Sequence, residues 1–208
     1  MSETTGVPKR SVSALAYGIV ALAIAFQLSV VWLMLHPQVP ADYRAYYIDQ
    51  STTCLNQPVS GEYVLGTKVS FLPSGLEQAR SQRVCGWEGP AGDGTHAVGK
   101  TSRLRFAVSE AGSSLALELQ LVAVEREGHP SQRIAVEANG ILLATVTALA
   151  GVPLVVRLDV PPAATPDNVG TVEIALHFAD AIRMSSSDSD TRLRSIKLLS
   201  AKLSQVRT

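Results

Sequence analysis

The run from Val12 to Leu35, VSALAYGIVALAIAFQLSVVWLML, carries no charged residue and stops just before His36-Pro37. A helix of this length, rising about 1.5 Å per residue, reaches roughly 36 Å, enough to cross a hydrocarbon core of about 30 Å with some tilt. A single transmembrane helix over residues 12–35 is therefore expected. Lys9 and Arg10 precede the run directly, whereas the first segment beyond it offers only Arg44 among Asp42 and Asp49. Basic flanks stay on the cytoplasmic side, so residues 1–11 are read as a cytoplasmic tail and everything after the span as facing outward. A secretory signal sequence is the competing reading, because Val39-Pro40-Ala41 resembles a small-residue cleavage site. Signal cores run roughly 7–15 apolar residues, and Pro37 and Pro40 crowd the site, which favours a retained anchor. Trp32, Tyr43, Tyr46 and Tyr47 are rings of the kind that settle at a membrane boundary, and the tyrosines serve equally well as core residues of the outward domain.

Beyond the span, residues 36–61 read as a juxtamembrane connector and 62–208 as one outward domain of a size that can bury a core. Lysine plus arginine number 18, as do aspartate plus glutamate, which leaves no basic excess for nucleic acid. The only cysteines, Cys54 and Cys85, both fall on the outward side, where disulfides persist, and are expected to pair. Two separate buried thiols are the alternative. His96 and His129 stand at no zinc-finger spacing from them.

From Glu62 on, the pattern is that of short strands. Leu104, Phe106 and Val108 alternate in TSRLRFAVS, and Leu115, Leu117, Leu119 and Leu121 alternate in SSLALELQLVAVE. RIAVEANGILLATV places two strand-like runs around Asn139-Gly140, a dipeptide suited to a type I′ turn. PLVVRLDV and GTVEIALHF come next, separated by PPAATPDNVG, whose prolines and glycine break regular structure. RLRSIKLLSAKLS closes the series with Leu193, Ile196, Leu198 and Leu203 as inward candidates, in a period irregular enough to leave a short helix open. Seven or eight strands without crossover helices predict a mainly β protein, an antiparallel β-sandwich of jelly-roll type preceded by the transmembrane helix.

Gly94 to Thr101, GTHAVGKT, satisfies GxxxxGK[ST], the pattern that cradles nucleotide phosphates between a buried strand and a helix N-terminus. Here CGWEGPAGD precedes it and the strand-like TSRLRFAVS succeeds it, so the segment is expected to be a glycine-rich loop between strands, with no nucleotide as partner.

In that strand context the sequence resembles the extracytoplasmic jelly-roll β-sandwich domains attached to bacterial membrane glycosyltransferases and polysaccharide-assembly proteins. Gly86 to Phe106 is similar to that family's glycine-tryptophan entry and glycine-rich loop, with Ala91 where an acid is usual and His96 where a second tryptophan is usual. Val136 to Val146 is similar to its Asn-Gly hairpin, and Asp190 to Leu203 to its aspartate-x-arginine lead into the last strand, with Arg194-Ser195 replacing leucine-glycine. The resemblance implies a noncatalytic module on the periplasmic or extracellular face of a bacterial inner membrane. Its implied partners are a polytopic membrane protein of glycan synthesis or export, and polysaccharide.

Two places invite a site. Trp87, Glu88, Asp93 and His96 share one segment and can form a shallow glycan site, the indole stacking on a sugar ring; the competing reading has Trp87 plugging the sandwich end beside the cysteines. Asp188 and Asp190 offer oxygen ligands of the kind calcium takes, but Arg192 and Arg194 come directly after them, so a structural salt link between Asp190 and Arg192 is expected and no metal or cofactor. Neither GxSxG nor HExxH occurs, and His36, His96, His129 and His177 are scattered. The expected function is a membrane-anchored noncatalytic accessory role in envelope polysaccharide assembly, set against an envelope hydrolase or transferase and a purely structural anchored domain.

Overall fold

The computed structural model describes residues 9–35, 43–44, 54, 63–109, 114–165, 170–184 and 192–206. Tyr46, Tyr47, Asp188 and Asp190 lie outside the described residues, as do most of the connector 36–61 and the tail before Lys9. The chain divides into two units, Met1–Ala41 and Asp42–Thr208.

The first unit contains helix α1, Lys9–Leu35, which begins three residues before the charge-free run. Its stretch Ala14–Leu35 is long and apolar enough to cross a membrane, and Leu15, Ile19, Leu22, Phe26, Leu33 and Leu35 are all exposed. Apolar side chains on every side of a helix suit a hydrocarbon surround rather than water. Ser29, one of the few polar residues of this stretch, donates its hydroxyl back to the Ala25 carbonyl at 2.8 Å.

The second unit is an antiparallel β-sandwich. Its strands are β1 Lys68–Ser70, β2 Arg83–Cys85, β3 Trp87–Ala91, β4 Gly94–Val98, β5 Thr101–Val108, β6 Leu115–Ala123, β7 Ser131–Ala138, β8 Ile141–Leu149, β9 Pro153–Val160, β10 Gly170–Phe178, β11 Ile182–Arg183 and β12 Leu193–Gln205. One sheet runs β2-β5-β10-β7-β8; the other runs β3-β4-β12-β6-β9, with β1 and β11 also paired to β12. Period-two burial explains why these residues make strands: Leu104, Phe106 and Val108 of β5 and Leu115, Leu117, Leu119 and Leu121 of β6 are all sealed in the core between the sheets. Asn139 (φ 45°) and Gly140 (φ 79°) turn β7 into β8 as the sequence predicts.

Three expectations need correction. The described residues hold twelve strands rather than seven or eight, because short β1 to β4 and β11 have too few residues to show a period. Gly94 to Val98 is strand β4 rather than a loop. The last segment is one 13-residue strand, and its irregular period comes from a register shift between Leu198 and Ser200. The extra residue resets the alternation, so Leu198, Ala201 and Leu203 all point inward.

Cys54 and Cys85 form a disulfide, closing a chain segment of 31 residues onto the end of β2. By the loop-entropy model, replacing both with serine should lower stability by roughly 3–4 kcal/mol. Urea unfolding of the full chain in detergent, with and without the pair, checks this; an unchanged midpoint would contradict it.

Candidate functional site

A corner of the sandwich places the predicted residues. β2 belongs to one sheet and β3 to the other, and Gly86 alone carries the chain between them with φ +74°. A Cβ at Gly86 would come within 2.2 Å of the Thr101 carbonyl, so no other residue fits. The Gly86 carbonyl accepts from Val98 N–H at 2.8 Å and from the Ser102 hydroxyl at 2.6 Å.

Past this corner, Trp87 pairs in register with Ala97, which is fully buried, so the indole shares the inward face. Its Nε1 donates to the Arg103 carbonyl of the opposite sheet at 2.8 Å, and its ring lies 6.2 Å from that of Phe71. The half-buried indole thus spans the two sheets two residues from Cys85.

Glu88, Asp93 and His96, by contrast, come together on the outward face with residues of β12. The Glu88 carboxylate accepts from Arg194, whose side chain is only 9% exposed, and lies 3.2 Å from Arg192. The Glu88 carbonyl accepts from Arg83. Asp93 pairs with Lys197, and His96 Nε2 stands 3.9 Å from the Asp93 carboxylate. The bond from Lys197 holds the Asp93 carboxyl below its usual range. Burial pushes the His96 imidazole down; Lys197 adds to this and Asp93 opposes it. The acids of this cluster are already bonded to cations, which makes it a brace between β3, β4 and β12. The sequence did not reveal Arg194 and Lys197 as partners, since only the β4–β12 pairing, His96 opposite Lys197, brings them here. Of the expected Asp190–Arg192 link, Asp190 lies outside the described residues and Arg192 faces Glu88.

The nucleotide-like motif is laid out as strand, turn and strand. Its amides serve the sheets: Val98 donates to Gly86, and Gly99 to the Leu193 carbonyl at 3.0 Å. The next element is β5, so no helix N-terminus comes after the motif to face an anion.

A second polar surface lies on the outer face of the five-stranded sheet. Register aligns Thr101, His177, Ala135 and Thr145 in one row across β5, β10, β7 and β8. They line a shallow depression of about 350 Å³ with Lys100, Arg133 and Ala179. Ala135 and Ala179 leave its floor low, and the row spans about 14 Å at three interstrand spacings. His177 bridges two partners, with Nδ1 3.2 Å from the Thr101 hydroxyl and Nε2 3.3 Å from the Glu137 carboxylate. Arg133 grips Asp180 through two nitrogens at 2.9 and 2.7 Å, and this pairing pushes the Asp180 carboxyl down to about 2. Further along, Arg103 and Arg105 share Glu173 at 3.5 and 2.7 Å. Sequence reasoning missed this grouping; period two in GTVEIALHF is the signal that sets Glu173, Ala175 and His177 on one face, though it does not tell which strands flank them.

No family model matches the chain, and no curated protein matches it. Among solved structures it is similar to the C-terminal domain of EclA, a sugar-binding protein, at 10% identity and TM-score 0.38, covering 51% of this chain and 67% of that one. It is also similar to a carbohydrate-binding module, CBM36, solved with calcium and xylotriose, at 14% identity and TM-score 0.37, covering 66% and 99%. A family GH115 4-O-methyl-alpha-glucuronidase with specificity for decorated arabinogalactans aligns at 11% identity and TM-score 0.43, over 73% of this chain and 19% of the enzyme. Likenesses this distant assign no ligand to this chain.

The depressed His96 gives a pH dependence with a definite sign. Below the ordinary histidine value of about 6.5 the unfolded chain binds the proton more readily than the folded one, so this share of stability is complete above it and drains away as pH falls through the lowered folded value. Between about pH 7 and pH 5 the melting temperature of the parent should therefore fall more steeply than that of His96→Gln. Parallel slopes in thermal unfolding at several pH values would contradict the assignment.

Proposed function

We propose that this chain is a noncatalytic accessory protein of bacterial cell-envelope polysaccharide synthesis or export. Helix α1 anchors it in the inner membrane with the N-terminus cytoplasmic, and the sandwich on the outer side contacts glycan. The observation that carries the reading is the Thr101–His177–Ala135–Thr145 row. Sugar hydroxyls are held by fixed donors and acceptors converging on a shallow surface, and this row offers two hydroxyls and a half-exposed imidazole between flanking ion pairs. The cluster around Glu88, Asp93 and His96 is the less suited contact, since its Arg194–Glu88 pair is largely buried, with side chains 9% and 25% exposed against 39% for His177. For the span, the resemblance to glycosyltransferase-attached domains supports a polytopic membrane protein of the same machinery as partner.

One observation favours a second reading, an envelope hydrolase. Hydroxyl, imidazole and carboxylate stand in line at Thr101, His177 and Glu137, the grouping that activates a nucleophile. Against it, the line lies on an open sheet face, where ladder amides run in the sheet plane to neighbouring strands and none is aimed outward to stabilise an oxyanion.

Incubating the full chain in mild detergent with envelope polysaccharide separates the readings. We expect the protein to be retained on a polysaccharide affinity gel, with polymer length unchanged and retention lost in His177→Ala. Shortening or deacylation of the polymer that disappears in Thr101→Ala would make it a hydrolase, and no retention at all would contradict glycan contact.

A further inference from the structure

We propose that the depression on the five-stranded sheet takes an acidic sugar of an anionic polysaccharide, with Lys100 meeting the sugar carboxylate; this rests on the glycan-contact reading above. Lys100 and Thr101 are the last two residues of the nucleotide-like motif. The motif supplies no phosphate cradle, yet its lysine and threonine reach the depression side by side. Gly99 (φ +84°) turns the chain out of β4, and the Lys100 carbonyl accepts Phe178 N–H at 2.9 Å, which fixes the start of β5 against the end of β10.

The charges around the depression decide what Lys100 is free to meet. Arg133 is occupied by Asp180, His177 leans on Glu137, and Arg103 and Arg105 share Glu173. Leaving the His177 imidazole aside, four cations on this face (Lys100, Arg103, Arg105 and Arg133) stand against three carboxylates (Glu137, Glu173 and Asp180), and Lys100, an exposed residue, is the cation without an ion-pair partner among the described residues. A neutral sugar would leave that charge unmatched. A sugar carboxylate pairs with the ammonium, while the Thr101 and Thr145 hydroxyl oxygens accept from its ring hydroxyls. A phosphate asks for several converging donors, commonly backbone amides, and here the nearby amides are spent in the sheet ladders.

The test is affinity electrophoresis of the full chain in uncharged detergent, through gels containing polygalacturonate or neutral dextran. We expect polygalacturonate to be bound about fivefold more tightly than dextran at low salt, with the difference shrinking at about 0.5 M salt. Lys100→Gln should bring polygalacturonate to the dextran level and Lys100→Arg should keep the preference, both with the parent's melting temperature. Equal binding of the two polymers by the parent, or a preference that survives Lys100→Gln, overturns the charge assignment and leaves glycan contact standing. Displacement of polygalacturonate by millimolar inorganic phosphate would also overturn it, by showing a general oxyanion site. Retention by neither gel overturns both proposals.

Discussion

The sandwich depends on a close approach at Gly86. There the chain leaves one sheet and enters the other in a single residue, with its carbonyl taken by Val98 and Ser102 and no space for a side chain. Val98 ends β4 and Ser102 is the second residue of β5, so this one carbonyl ties together two of the places where the chain changes sheets, β2 to β3 and β4 to β5. The disulfide at Cys85 and the indole of Trp87 flank the same corner, one fastening the connector and the other bridging the sheets through the Arg103 carbonyl. Substituting Gly86 would disturb the junction on which the β4–β5 turn, and with it Lys100 and Thr101, is hung.

That geometry changes the meaning of the glycine-rich segment. The same residues that spell a phosphate motif become a strand, a turn and a second strand, and their amides are consumed in pairing. What remains available is chemistry of side chains on a sheet face: an ammonium, hydroxyls and an imidazole over a floor of alanines. Such a face suits an extended polar polymer better than a compact ligand, which would seek an enclosed pocket. Together with a helix apolar on all sides, it supports an account in which the protein holds a glycan-contacting surface at a membrane.

Much of the fold was legible because burial imposes its period directly. Alternation exposed β5, β6 and the inward leucines, and Asn139-Gly140 marked its own turn. The unclean rhythm of β12 became intelligible only with its bulge, and β1 to β4 were too short to announce themselves. The site was less legible, for a physical reason: pairing across strands joins residues distant in sequence. Glu88, Asp93 and His96 could be grouped by proximity in the chain, but that Trp87 turns away from them is a consequence of its register with Ala97. His177 looked isolated until β5 and β7 placed Thr101 and Ala135 beside it.

Glycan contact is proposed for the outer face of the five-stranded sheet. Amide NMR titration of the isotopically labelled full chain in micelles with a soluble acidic polysaccharide tests it most directly. Saturable shifts are expected, concentrated at Lys100, Thr101, Ala135, Thr145 and His177. Shifts centred instead on Glu88, Asp93 and His96, or no shifts at saturating polymer, would contradict it.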